Sequence, residues 1–122
     1  MAGPIIIVVD DNQFFIDTIE AILQNTYELH SFLSGGDALK YMESNPADLV
    51  LLDYEMPGLT GYETMMKMRA ASGAEKLPII FITAETSERM KLEMIDRGAT
   101  DYICKPIDSA HLKQCLSKYL NK

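Results

Sequence analysis

Three aspartates, one threonine and one lysine in this 122-residue chain each stand at the end of an apolar run. Asp10 and Asp11 follow Ile5-Ile6-Ile7-Val8-Val9, Asp53 follows Leu49-Val50-Leu51-Leu52, Thr83 follows Ile79-Ile80-Phe81-Ile82, and Lys105 follows Tyr102-Ile103-Cys104. Brought to one point, three carboxylates repel one another unless a cation sits among them. Mg²⁺ answers that need: it takes oxygen ligands, uses one or two carboxylates and keeps waters that a phosphate can displace. Lys105 adds a fixed positive charge, and the Thr83 hydroxyl can donate a hydrogen bond to an incoming oxyanion. Such an inventory suits phosphoryl transfer, where positioning and charge neutralisation do most of the catalysis. Taken singly, each residue has a plainer reading. Asp11 after a strand reads as a helix N-cap, and Lys105-Pro106 as a turn. The set carries meaning through convergence, which depends on the elements that hold it.

Those elements alternate. The four apolar runs have strand length, and their unbroken apolarity predicts strands buried on both faces. A fifth, Tyr27-Glu28-Leu29-His30-Ser31-Phe32, alternates polar and apolar residues as an edge strand does. Helical periodicity fills the intervals near 13–24, 35–44, 60–71, 87–97 and 108–120. Thr60 and Glu63 have capping-box spacing, Ser34 and Asp37 repeat it, and Asp108 can cap the last helix. Gly98 stands where the fourth helix should stop, and Pro78 opens the fourth strand. The expected fold is α/β, a (βα)₅ flavodoxin-like domain with a five-stranded parallel sheet covered by helices on both faces. In strand order 2-1-3-4-5 all carboxyl ends lie along one edge, where open α/β sheets bind ligands. The second strand then lies at the margin, and it alone ends in the uncharged pair Leu33-Ser34.

Composition narrows the function. Eleven basic and 18 acidic side chains leave a net charge of −7, which disfavours direct binding to nucleic acid or anionic membrane. No apolar run reaches the roughly 20 residues of a spanning helix, and Met1-Ala2-Gly3-Pro4 lacks the regions of a signal peptide, so a cytoplasmic location is expected. Cys104 and Cys115 lack metal-ligand spacing and read as small buried hydrophobes in a reducing compartment. Met65, Met66 and Met68 read as core and rim fillers. His30 and His111 look isolated, each solvated or capped. On the first helix, Phe15, Ile16, Ile19, Ile22 and Leu23 share one arc and form the expected buried stripe. Phe14 lies about 130° from the centre of that arc, which predicts an exposed aromatic beside the mouth of the site and a docking residue for a partner helix.

Val8-Val9-Asp10-Asp11, Asp53-Tyr54-Glu55-Met56-Pro57-Gly58 with Gly61-Tyr62-Glu63, Ile82-Thr83-Ala84, and Gly98-Ala99-Thr100-Asp101-Tyr102-Ile103-Cys104-Lys105-Pro106 together resemble the receiver domain of two-component response regulators. The likeness runs from about residue 5 to 120, within a single domain spanning 1–122. It implies that Asp53 takes a phosphoryl group from a phosphohistidine. It further implies that Asp11, Asp53 and the Glu55 backbone carbonyl hold Mg²⁺, that Asp10 acts through a coordinated water, and that Thr83 and Lys105 bind the phosphoryl oxygens. Ala84 is small, as the family prefers, and Tyr102 stands at its aromatic switch position beside Thr83. Glu55 and Glu85 would flank the path of the hydrolytic water, and the Lys105-Pro106 bond is expected to be cis. Cys104 departs from the Thr or Ser common in relatives.

The implied partners are a sensor histidine kinase or histidine phosphotransfer protein, and a downstream protein target or fused output domain. The surface of the fourth helix, fifth strand and fifth helix would respond to phosphorylation, which allows a phosphorylation-linked dimer. Catalysis would extend only to the domain's own phosphorylation and dephosphorylation. Two other readings share parts of the pattern. A phosphorylation-independent pseudo-receiver usually lacks part of the acidic set. A Mg²⁺ phosphohydrolase of the haloacid dehalogenase type needs an Asp two residues after its nucleophile, where this chain has Glu55. The chain closes its fifth helix near Asn121-Lys122, which suits either a stand-alone regulator or a receiver within a longer protein.

Overall fold

In the computed structural model, which describes residues 3–71, 74–84 and 87–120, the strands are β1 (Ile5–Val9), β2 (Glu28–Phe32), β3 (Leu49–Asp53), β4 (Ile79–Thr83) and β5 (Asp101–Cys104). The helices are α1 (Gln13–Leu23), α2 (Gly35–Met42), α3 (Gly61–Arg69), α4 (Glu88–Asp96) and α5 (Ser109–Leu120). The strands form one parallel sheet in the order β2-β1-β3-β4-β5. The expected topology is the observed one.

Strand residues alternate between two cores, as the pleat requires. On one face, Ile6, Val8, Leu49, Leu51, Ile80, Ile82 and Ile103 pack against Ile16, Ile19 and Leu23 of α1 and Leu112, Cys115 and Leu116 of α5. On the other, Ile7, Val9, Val50, Leu52 and Phe81 meet Ala38 of α2, Met65 and Met68 of α3 and Met94 of α4. Burial on both faces is why these runs contain no polar residue until the strand ends. Met65 and Met68 fill the core as expected, and Met66 is exposed.

Most helix starts were legible. Thr60 forms a reciprocal capping box with Glu63, and Ser34 Oγ accepts from the Asp37 N–H. Thr60 and Ser87 are themselves extended N-caps, so α3 and α4 begin one residue later than periodicity suggests. At α1 the cap is Asn12, whose side chain accepts from the Phe14 and Phe15 N–H groups. That corrects the reading of Asp11 as a cap and leaves its carboxylate available to the site. Gly98 ends α4 at φ 118°, a left-handed conformation that glycine adopts without strain, while the Ala99 N–H closes the turn on Met94 O at 3.1 Å.

Candidate functional site

Alternation along the strands decides which side chains meet. Asp10 continues the Ile6, Val8 series, Asp53 the Leu49, Leu51 series, and Lys105 follows Ile103, all on the face covered by α1 and α5. Thr83 continues the Ile79, Phe81 series and Tyr102 packs with the opposite core. The acidic and basic groups therefore share one side of the sheet edge, and the threonine and tyrosine share the other.

Oxygen atoms of Asp10, Asp11 and Asp53 all lie within 4.8 Å of one another. Asp10 and Asp53 are buried, and Asp11 is exposed. Lys105 Nζ stands 3.3 Å from Asp10 Oδ2 and 3.6 Å from Asp53 Oδ1. Backbone bonds fix the frame. The Asp10 N–H donates to Phe32 O at 3.1 Å, the Tyr54 N–H to Ile82 O at 2.9 Å, and the Lys105 N–H to Thr83 O at 2.8 Å. Asp10 Oδ1 accepts from the Asn12 N–H at 2.9 Å, and Asp53 Oδ1 from the Glu55 N–H at 3.2 Å.

One lysine does not balance this charge. Burial first, and then Asp10, push the Asp53 carboxyl up from its ordinary 3.8 to about 6, against the lowering pull of Lys105. Asp10 Oδ2 is buried, with the Lys105 ammonium at 3.3 Å as its ion-pair partner and no hydrogen bond. A buried carboxylate oxygen in that condition, beside two further carboxylates, is the donor set a hard divalent cation takes. The residues thus fit Mg²⁺.

Thr83 is buried at the end of β4, and register places it opposite Cys104 on β5. Tyr102 is half-buried, opposite Phe81, with Lys91 Nζ 5.1 Å from its ring centroid. The Lys105-Pro106 bond is cis. Phe14 is 79% exposed, as its helical angle predicts. Glu55 is exposed, and Glu85 lies outside the described residues. Behind Asp53, an added Cβ on Gly61 would lie 2.4 Å from Asp53 O and 2.6 Å from Tyr54 Cα, so only glycine lets α3 start this close to the end of β3.

Several features went unread in the sequence. His30 is not isolated: its Nε2 lies 2.6 Å from Glu28 Oε2, and its ring packs 5.2 Å from that of Tyr41. Period-two spacing on β2 was the available signal. Cys115 is buried, as its sequence reading expects, whereas Cys104 is only half-buried. Burial and the Asp101 carboxylate push the Cys115 thiol up to about 11, so it stays protonated at neutral pH. Tyr119 Oη donates to Asp101 Oδ2 at 2.7 Å, tying α5 to β5. Arg69 donates from α3 to Gly98 O at 2.9 Å, to Ala74 O at 3.0 Å and to Leu77 O, joining α3 to the end of α4 and the approach to β4.

The family model for the response regulator receiver domain matches residues 6–117. The chain belongs to that family. This receiver domain is 30% identical to the Vibrio cholerae chemotaxis protein CheY4, with a TM-score of 0.91 over 98% of this chain and 100% of that one. It is also 30% identical to the receiver domain of the Pseudomonas aeruginosa PAO1 sensor histidine kinase PA1611, crystallised with magnesium coordinated in its active-site cleft. There the TM-score is 0.89, over 99% of this chain and 100% of that one. Among curated relatives, it is 32% identical to the Bacillus subtilis transcriptional regulatory protein YvrH, matching all of this chain and 51% of that protein. It is 35% identical to hybrid signal transduction histidine kinase L of Dictyostelium discoideum, over 93% of this chain and 7% of that one. The receiver domain thus spans from a small fraction to about half of these two relatives. It is a signalling module of two-component systems, and among its described residues no helix is long and apolar enough to cross a membrane.

Proposed function

We propose that this receiver domain is a phosphoacceptor in which Asp53 takes a phosphoryl group from the phosphohistidine of a sensor kinase or histidine phosphotransfer protein. The observation that carries this reading is the meeting of three carboxylates within 4.8 Å, with Lys105 Nζ between Asp10 and Asp53. Asp53 Oδ attacks phosphorus, the phosphorus–nitrogen bond breaks, and the histidine leaves with the electron pair. Asp11, Asp53 and the Glu55 carbonyl would hold Mg²⁺, with Asp10 acting through a water. When bound, the ion supplies charge neutralisation for the incoming phosphoryl oxygens. Lys105 adds its ammonium and Thr83 its hydroxyl.

Signalling follows from the same charge. Added phosphoryl oxygens draw Thr83 inward, and Tyr102, across the β4–β5 ladder, turns toward the space it leaves. The surface of α4, β5 and α5 repacks and acts on a protein target or a fused output domain in the cytoplasm. Phe14, exposed at the start of α1, is the proposed docking residue for the phosphohistidine protein. The test is treatment with Mg²⁺ and acetyl phosphate followed by mass-spectrometric mapping of the modified residue. Labelling confined to Asp53 and absent from Asp53→Ala is expected; undiminished labelling in that variant overturns the assignment.

A further inference from the structure

Beside the charged cluster stands an uncharged surface that no motif includes. Lys105 Nζ lies 4.4 Å from the centroid of the Phe15 ring, while the same ammonium faces Asp10 Oδ2 at 3.3 Å and Asp53 Oδ1 at 3.6 Å. A cation this close to an aromatic face is attracted by the ring quadrupole, more strongly where water is partly excluded. Both partners are anchored. The Phe15 N–H donates to the carbonyl and to the side chain of the Asn12 cap, and its ring packs on the core beneath α1. The Lys105 N–H is bound to Thr83 O. A lysine side chain is a point charge on a flexible stem, and two carboxylates leave it many arrangements. The ring restricts those arrangements and brings no oxygen that would compete for a cation or repel a phosphoryl group.

We propose that Phe15 is a positioning residue whose ring face holds the Lys105 ammonium against Asp10 and Asp53, ready to meet a phosphoryl oxygen. The catalytic consequence rests on the phosphoacceptor reading of Asp53; the placement of the lysine does not. An aliphatic side chain of similar bulk would still cover the core and would lose the attraction, whereas tyrosine would keep it.

The experiment compares the wild-type chain with Phe15→Leu and Phe15→Tyr, each checked for folding by circular dichroism. Phe15→Met replaces Phe15→Leu if the latter folds poorly. The first readout is the NMR signal of the Lys105 ε-methylene, assigned through its loss in Lys105→Arg. The second is the rate of modification by acetyl phosphate at saturating Mg²⁺. The ring should displace the ε-methylene signal upfield in wild type and Phe15→Tyr and not in Phe15→Leu. Phe15→Leu should react about five-fold more slowly, with Phe15→Tyr restoring the rate. An undisplaced wild-type signal, an unchanged rate in Phe15→Leu, or a Phe15→Tyr as slow as Phe15→Leu overturns the proposal. A wild-type chain that takes no phosphoryl group overturns the Asp53 reading and the catalytic half of this one, and the methylene signal still decides where the lysine sits.

Discussion

Replacing Asp53 with Asn should stabilise the fold while abolishing its proposed reaction. Burial and the neighbouring Asp10 raise the Asp53 carboxyl from 3.8 to about 6, so the folded state holds that proton more tightly than the unfolded chain does. Ionised Asp53 therefore destabilises the native state. The penalty is fully present above pH about 6 and vanishes as pH falls through 3.8. At 1.36 kcal/mol per pKa unit it reaches about 3 kcal/mol at pH 7.5 and about half of that at pH 5. Asparagine has the same shape and no charge, so Asp53→Asn should be more stable by about 3 kcal/mol at pH 7.5, or about 10 °C in Tm for a domain of this size. The assay is urea unfolding followed by circular dichroism, in EDTA, at pH 7.5, 6 and 5. The gap between variant and wild type should narrow steadily toward acid, and Mg²⁺ should narrow it at pH 7.5 by binding the wild-type native state more tightly. Equal stability at pH 7.5, or a gap that does not shrink toward pH 5, would refute the claim that uncompensated charge is stored at this site.

Three further changes probe the frame around the site. Gly61→Ala should destabilise the fold by about 2 kcal/mol or more and slow modification of Asp53, because the new Cβ would meet the carbonyl of Asp53 itself; thermal melts and labelling rates check both effects. Arg69→Ala should cost about 2 kcal/mol in urea unfolding by leaving the Gly98, Ala74 and Leu77 carbonyls without their charged donor, and Arg69→Lys should recover little because it lacks the planar fork. Phe14→Ala should change stability by less than about 0.5 kcal/mol, since the ring is 79% exposed. The same variant should weaken transfer from a cognate phosphohistidine protein about 30-fold and leave the acetyl phosphate reaction intact; parallel loss of both would mark the residue as structural.

The βα alternation and the residues at the sheet edge could be read from the chain because both are encoded locally. A doubly buried strand excludes polar side chains until it emerges, so each apolar run announces its own end, and four ends out of five carry a group able to do chemistry. Exposure of Phe14 followed from helical angle alone, for the same reason. What no local pattern contains is the contact between elements far apart in the chain. Phe15 read as one more member of the α1 stripe, yet packing of that helix over the sheet sets its ring under Lys105. Arg69 belongs to no sequence motif, and only the approach of the α4 terminus shows that its guanidinium joins three segments. That Asn12, and not Asp11, caps α1 is visible only in the structure, where Asn12 is extended and its side chain accepts from the Phe14 and Phe15 N–H groups. Periodicity reports which face of an element is apolar; which neighbour that face meets is set by close packing of the whole sheet and its helices.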